Sequence, residues 1–481
     1  MRIVKFKLAR DFLVLSSGQF FSKIVGFVAF AYLARTLGPE SYGLVEYAVG
    51  LAVFFARLVD WGMGPIGVRE LAAKPETAVS LAAQISGARL LIACIAVPVL
   101  GLAALWSGQP ETAVKLVWLY ALSLLAVPWK QDWLLQGREM MNAAAFAQFV
   151  RMFTFAAGVV ILVHSELDIL YVGLAEIAAV AITTAYYLGI QRFWICPVRL
   201  KFDPKDVVRL IRQGFSVGLS NVVWTFIQYA PLFLVANLAG GVSLAWFAAS
   251  HRVVISLLIL SYIYHWNLYP TMARRAESSP DALQILIGAS FRVVAWGGIL
   301  IALILTLIGR PLLVLAFGPS FAEAAPAFVV LIWALPVTLL SGHARWALIA
   351  KGLQRYVFFA HVAGAVVVLT VGLALTSRFG AVGAATAMTA ASLAIWAVAH
   401  TFAILKVGPL PGITAVLLPA CVAGMAFVLA QGLNTLPLLG AAAAAAVYVL
   451  FALLIDRKLL PDLLRLMQAK ADVDGKFHKV P

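Results

Sequence analysis

Residues Phe21–Gly43, FSKIVGFVAFAYLARTLGPESYG, decide the fold class. The run is apolar and long enough to cross a hydrocarbon layer of roughly 30 Å as a helix, yet it carries Lys23 midway along the span and Arg35 near its far end. A charge at the centre of a bilayer costs roughly 2.5 to 3.5 kcal/mol on insertion, so this helix must turn its cationic face to protein or water. Ser16, Gln19 and Lys23 recur at spacings of three and four, which predicts a polar stripe on one face. Arg35 falls off that stripe and reads as an anchor at the first outer turn, within reach of Glu40 or Glu46.

The rest of the chain repeats the pattern. Of its 481 residues 63% are hydrophobic, against roughly 45 to 50% in soluble domains. Mean hydropathy is +0.97. Fourteen apolar runs are predicted as spans, at 11–36, 42–65, 79–106, 113–135, 142–164, 168–190, 212–238, 242–268, 284–308, 325–349, 356–377, 381–405, 411–432 and 436–456. Backbone groups unpaired in lipid are so costly that runs of this length must be helices, giving an all-α polytopic membrane protein. The basic start MRIVKFKLAR leads into a long apolar run with no small-residue cleavage site, so the first span is expected to be retained. Cys94, Cys196 and Cys421 are far apart, with neither disulfide nor metal-ligand spacing.

Lys and Arg excess over Asp and Glu, 36 against 21, is chiefly a topology signal. The cations gather on one set of connections (Arg2 to Arg10, Arg69, Lys74, Arg138, Arg192 to Arg212, Arg274, Arg275, Lys351, Arg355, Lys406 and the tail), whereas the opposite set holds Arg310 and Arg378. The positive-inside bias therefore predicts both termini in the cytoplasm, a multi-pass location in the cytoplasmic membrane, and no role in nucleic-acid binding. Trp61, Pro65 and Arg69 recur as Trp266, Pro270 and Arg274, and Trp118 and Gly137 as Trp333 and Gly352. These matches predict parallel six-helix repeats. The expected organisation is an N-terminal lobe at 1–190, a cytoplasmic linker at 191–211, a C-terminal lobe at 212–405, an appended helix pair at 406–456 and a cytoplasmic tail at 457–481.

Six cations lie deep in the spans: Lys23, Arg57, Arg89, Arg151, Arg252 and Arg292. Lys115, Lys130 and Arg345 sit nearer span ends, where long side chains can snorkel. Glu46, Arg57 and Asp60 share a face of span two, and Arg57 can neutralise Asp60 locally. Asn221, Trp224, Thr225 and Gln228 form a matching stripe on span seven. Spans one, two, seven and eight are expected to line a cavity with surplus positive charge, suited to an anion such as a phosphate. The substrate-binding set is Lys23, Arg57, Arg89, Arg252, Arg292, Gln19, Gln228 and Trp224. Asp60, Glu46, Glu176 and His251 are candidates for proton or cation coupling; no other cofactor and no metal is implied. His164, His251, His265, His343 and His361 lack metal-ligand spacing and read as core or interface residues. No acid/base constellation points to an enzyme.

Tyr32–Ala72, YLARTLGPESYGLVEYAVGLAVFFARLVDWGMGPIGVRELA, resembles the start of the polysaccharide flippase family, in the superfamily that also holds multidrug extruders and lipid II flippases. Ala34, Arg35, Leu37, Gly38, Pro39, Tyr42, Gly43, Asp60, Gly62, Arg69 and Glu70 carry the pattern, supported by FGPSFAEAAPAFVVLIWALP from Phe317. The resemblance implies a transporter that moves an undecaprenyl-pyrophosphate-linked oligosaccharide to the outer leaflet by alternating access of two lobes. Its implied partners are that anionic lipid-linked saccharide, membrane lipids, and glycosyltransferases and polymerases of the same pathway. SKIVGFVAF is similar to a lipid II flippase segment in which Lys23 would replace an essential arginine, and departs from it where Ala29 and Phe30 stand in place of Arg-Asp. Two other readings stay open, an ion-coupled multidrug exporter and a membrane glycosyltransferase or polymerase.

Overall fold

A computed structural model describes residues 2–278, 280–432 and 437–466, with side chains described for 21–277, 281–432 and 437–466. Among the described residues there is no strand, and twelve helices are long and apolar enough to cross a membrane. The protein is an all-α multi-pass membrane protein.

The helix α1 (Arg2–Asp60) runs through the opening stretch and well past it. Its apolar part, Phe21–Asp60, has 40 residues, which at 1.5 Å each is about 60 Å, twice a hydrocarbon layer. The helix breaks at Gly38, whose φ of 70° and ψ of 176° favour a residue without Cβ, and Pro39 follows without an amide donor. LGPESYG is thus the corner between two helical arms. The same device recurs in α13 (Gln354–Lys406), whose 53 residues break at Gly380 (φ 53°, ψ −126°).

The chain forms two compact units, residues 1–248 and 249–481. The first holds α1, α2 (Met63–Ala73), α3 (Ala78–Trp106), α4 (Glu111–Ser123), α5 (Asp132–Gly137), α6 (Met141–Leu162), α7 (Ile169–Ile190) and α8 (Pro204–Leu238). Local chemistry sets several boundaries. The Asp203 carboxylate accepts from the Lys205 amide at 2.9 Å and Pro204 takes the first helical position, together starting α8. Ser165 and Asp168 form a capping box ahead of α7. α1 packs along α6, with Phe30 stacked on Phe155 at 5.5 Å, and α8 also packs on α1.

The 191–211 connection is clasped to this unit. Its Lys201 amide donates to the Ala83 carbonyl at 3.2 Å, and Arg209 reaches Gln84 at 2.8 Å, both on α3. Asp206, 2.6 Å from the Lys201 ammonium, raises that group above its ordinary value. Span seven accordingly belongs to the first compact unit.

The second unit continues α9 (Gly241–Ser278) and holds α10 (Pro280–Phe317), α11 (Ala325–Leu331), α12 (Ala334–Ala350), α13, α14 (Thr414–Gln431) and α15 (Pro437–Ile455). Trp296, Ile299 and Leu303 of α10 bury against Val422, Ala423 and Ala426 of α14 and Ala444, Tyr448 and Ala452 of α15. Small residues let these backbones approach, the usual means of joining helices where lipid removes the hydrophobic drive.

Candidate functional site

The polar centre of the first unit lies where α1 ends. Asp60 is followed by Trp61 (φ 41°) and Gly62 (φ 73°), a left-handed corner that stops the helix. The corner is seated on α8: the Trp61 indole donates to the Ile211 carbonyl at 3.2 Å, and its ring lies 6.2 Å from that of Phe215. A Cβ at Gly214 or Gly218 would collide with the Trp61 carbonyl, so α8 meets the corner with a small-xxx-small face.

That seat aims Asp60 at α3. Its carboxylate accepts from the Arg89 guanidinium, and Arg89, 2% exposed, also donates to the Lys130 carbonyl at 3.1 Å. The charges of Lys130 and Arg57 act on Asp60 as well. Asp60 therefore bonds across helices to Arg89, while Arg57, the partner that local spacing allowed, contributes through its charge. Arg57 stays exposed. Lys130, read as a snorkelling end residue, joins this cluster and lies 3.6 Å from Asp132.

Further along α1 the Glu46 side chain is buried and accepts the Tyr42 hydroxyl at 2.6 Å. Facing it, α8 brings aromatic rings: Phe226 lies 6.3 Å from Phe54, and Phe233 lies 6.1 Å from Tyr47. On α8 Gln228 is buried and Trp224 half-buried. Lys23 is exposed on the first arm of α1, whereas the Gln19 side chain lies outside the described residues. Glu176 on α7, 7% exposed, accepts from the Arg151 guanidinium of α6.

In the second unit His251 is buried and Arg252 half-buried on α9. Arg292 on α10 is committed to carboxylates that sequence spacing gave no reason to connect. Its Nε donates to Asp462 at 3.0 Å and its Nη1 to Asp456 at 3.0 Å, while the Trp296 indole donates to Asp456 at 3.0 Å. The histidines His265 and His343, read from sequence as core or interface residues, lie beside a hydrogen-bond chain that spacing did not reveal, from the half-buried Tyr264 through the buried Ser290 to His343, with the buried His265 ring edge-on to it. The available signal was Ser261 and His265 four residues apart, on one helix face.

The deep cations thus divide. In the first unit Arg89 and Arg151 each hold a carboxylate from another segment and Arg57 is exposed at the end of α1, while in the second unit Arg292 holds Asp456 and Asp462. Within the first unit an exposed guanidinium such as Arg57 can attract an anion while Asp60 stays compensated by Arg89.

A family model described as "Polysaccharide biosynthesis protein" matches residues 8–275. The putative O-antigen transporter of Escherichia coli (strain K12) is 21% identical over 397 residues, covering 81% of this chain and 95% of that protein. Among solved structures, the lipid II flippase MurJ in an inward closed conformation is similar with a TM-score of 0.76 at 13% identity, over 93% of this chain and 100% of that one. An inward-facing multidrug resistance MATE family transporter of the MOP superfamily gives 0.62 at 12% identity, over 80% and 94% of the two chains. At these identities the structural likenesses establish a common helical fold.

Proposed function

This chain belongs to the polysaccharide biosynthesis protein family, and from that premise we propose that it is a transporter, a flippase that carries a polyprenyl-pyrophosphate-linked oligosaccharide across the cytoplasmic membrane by alternating access. The observation that carries the reading is the pairing at the end of α1: Asp60 already holds Arg89, so the exposed Arg57 guanidinium beside them is charge on which a substrate anion can draw. Guanidinium and ammonium donors fit a pyrophosphate, and half-buried aromatics such as Trp224 offer faces on which sugars can stack. Energy coupling is assigned to protons or cations.

On this reading the long helices α1 and α13 cross the membrane twice each, turning at Gly38 and Gly380, which raises twelve apolar helices to fourteen crossings and leaves both termini cytoplasmic. The E. coli relative named as an O-antigen transporter supports the substrate class. The exporter alternative wants carboxylates open to cationic cargo, but Glu46, Asp60 and Glu176 are bonded to Tyr42, Arg89 and Arg151.

Reconstitution in vesicles with a fluorescent polyprenyl-pyrophosphate saccharide tests the assignment. Lys23→Ala, Arg57→Ala and Arg252→Ala are each expected to slow translocation about tenfold or more, the effect of losing one charged phosphate contact of roughly 1.5 to 3 kcal/mol. Equal rates for all variants and the native protein would overturn the site, and no translocation by the native protein would overturn the flippase reading.

A further inference from the structure

The network that sequence spacing concealed lies wholly within the second unit and has a definite polarity. His343 Nδ1 is 3.3 Å from the Leu340 carbonyl, which can only accept, so that nitrogen carries the hydrogen. His343 Nε2 must then accept from the Ser290 hydroxyl at 2.7 Å, and Ser290 in turn accepts from the Tyr264 hydroxyl at 2.5 Å. His343 is satisfied at both nitrogens as a neutral ring.

His265 is not. Its Nδ1 donates to the Ser261 carbonyl at 2.8 Å, while Nε2, in a side chain with no solvent exposure, has no hydrogen-bond partner. The ring is also built in. A Cβ at Gly342 of α12 would overlap the imidazole, and the His343 ring stands edge-on with its centroid 4.9 Å away. A buried ring nitrogen without a hydrogen-bond partner, on an imidazole wedged against Gly342, gains from a proton or a donor only if its surroundings move. No carboxylate cluster suited to a metal ion accompanies it among the described residues.

We propose that His265 Nε2 is a proton-binding site whose occupation is linked to separation of α9 from α12. The groups facing it are Tyr264 on its own helix, which reaches Ser290 of α10, and on α12 the neutral His343 ring, edge-on to it, and the charge of Arg345. Arg345 acts also on His361 of α13. A proton added to His265 Nε2 would bury a charged donor against Gly342 and the imidazole of His343, and among the described residues no acceptor stands at that nitrogen. The packing seen here and a protonated His265 are therefore mutually unfavourable, and a conformation that moves α12 away relieves the conflict. Two conformations that differ in proton affinity are the minimal requirement for coupling a cycle to a pH gradient. The assignment of this proton to transport rests on the flippase reading; the binding site itself does not.

The experiment therefore has two arms, both on the full chain. In the first, imidazole 15N spectra of the protein in lipid nanodiscs are recorded from about pH 8 to about pH 5, the range in which an imidazole switches charge, with His265→Gln and His343→Gln to assign the signals. The His265 signal is expected to leave the neutral tautomer as pH falls and to shift His343 with it. In the second, vesicle translocation of the fluorescent lipid is compared with and without an imposed pH gradient. The gradient is expected to change the native rate by about fivefold or more, a typical coupling between linked sites. The ratio should fall to near one in His265→Gln, and His164→Gln, an exposed control, should keep the native ratio. A His265 ring that stays neutral throughout overturns the proton site. A native rate indifferent to the gradient, or a His265→Gln protein that keeps the native ratio, overturns the coupling. If the native protein moves no such lipid, the flippase reading fails and the spectra alone decide the site.

Discussion

Replacing Asp60 by Asn should damage the first unit more than replacing its partner Arg89. The reason is unequal burial: the Arg89 side chain is 2% exposed and that of Asp60 is 21% exposed. Without the carboxylate, Arg89 keeps a single acceptor, the Lys130 carbonyl at 3.1 Å, and its Nε already lacks a partner. An uncompensated buried charge of this kind costs about 3 to 5 kcal/mol. Without the guanidinium, as in Arg89→Met, Asp60 keeps partial solvation and the field of Lys130 and Arg57, so the loss is roughly 1 to 3 kcal/mol, that of an unpaired polar group. The double variant removes both charges together and should recover about 2 to 3 kcal/mol relative to the sum of the singles. Reversible SDS titration of the purified protein, followed by helix content, measures all four corners of the cycle. Equal losses in the two singles, with a double variant at their sum, would refute the claim that the pair is a buried tie.

The same titration checks two further expectations. Gly214→Ala pushes a methyl into the Trp61 carbonyl and should cost about 1 to 3 kcal/mol. Gly288→Ala on α10, with nothing near its Cβ position, should stabilise by roughly 0.5 to 1 kcal/mol through helix propensity alone; a similar response at both sites would argue against the corner's close fit. For the Arg151–Glu176 pair the asymmetry is reversed, since Glu176 is 9% and Arg151 36% exposed at the side chain. Arg151→Gln should therefore cost about 3 kcal/mol, and Glu176→Gln, which leaves a guanidinium able to reach solvent, about 1 kcal/mol.

The helical class was legible because it depends on a one-dimensional quantity. A run such as Phe21–Gly43 must be helical in lipid whatever its neighbours do, and the break at Gly38–Pro39 is written in the backbone preferences of those two residues. The depth of a cation along a span could be read in the same way, which is why Lys23, Arg57, Arg89 and Arg292 were singled out. What each meets there could not. Arg89 and Asp60 are 29 residues apart, and Arg292 and Asp456 are 164 apart. Such partners are chosen by helix rotation and crossing, to which periodicity within one helix is blind.

The histidines show the same limit from the other side. His265 and His343 lack ligand spacing and read as core residues, and both are indeed buried. Burial in sequence terms stops there. Only the approach of α12 at Gly342 places one ring against the other and leaves Nε2 of His265 without a partner. Sequence alone determined that this chain lives in a membrane as helices, where they bend, and which residues carry charge into the apolar layer, because burial in lipid penalises each residue separately. Tertiary structure decided which charges are spent on one another and which stand exposed, because an ion pair is a property of two segments and of the distance between them.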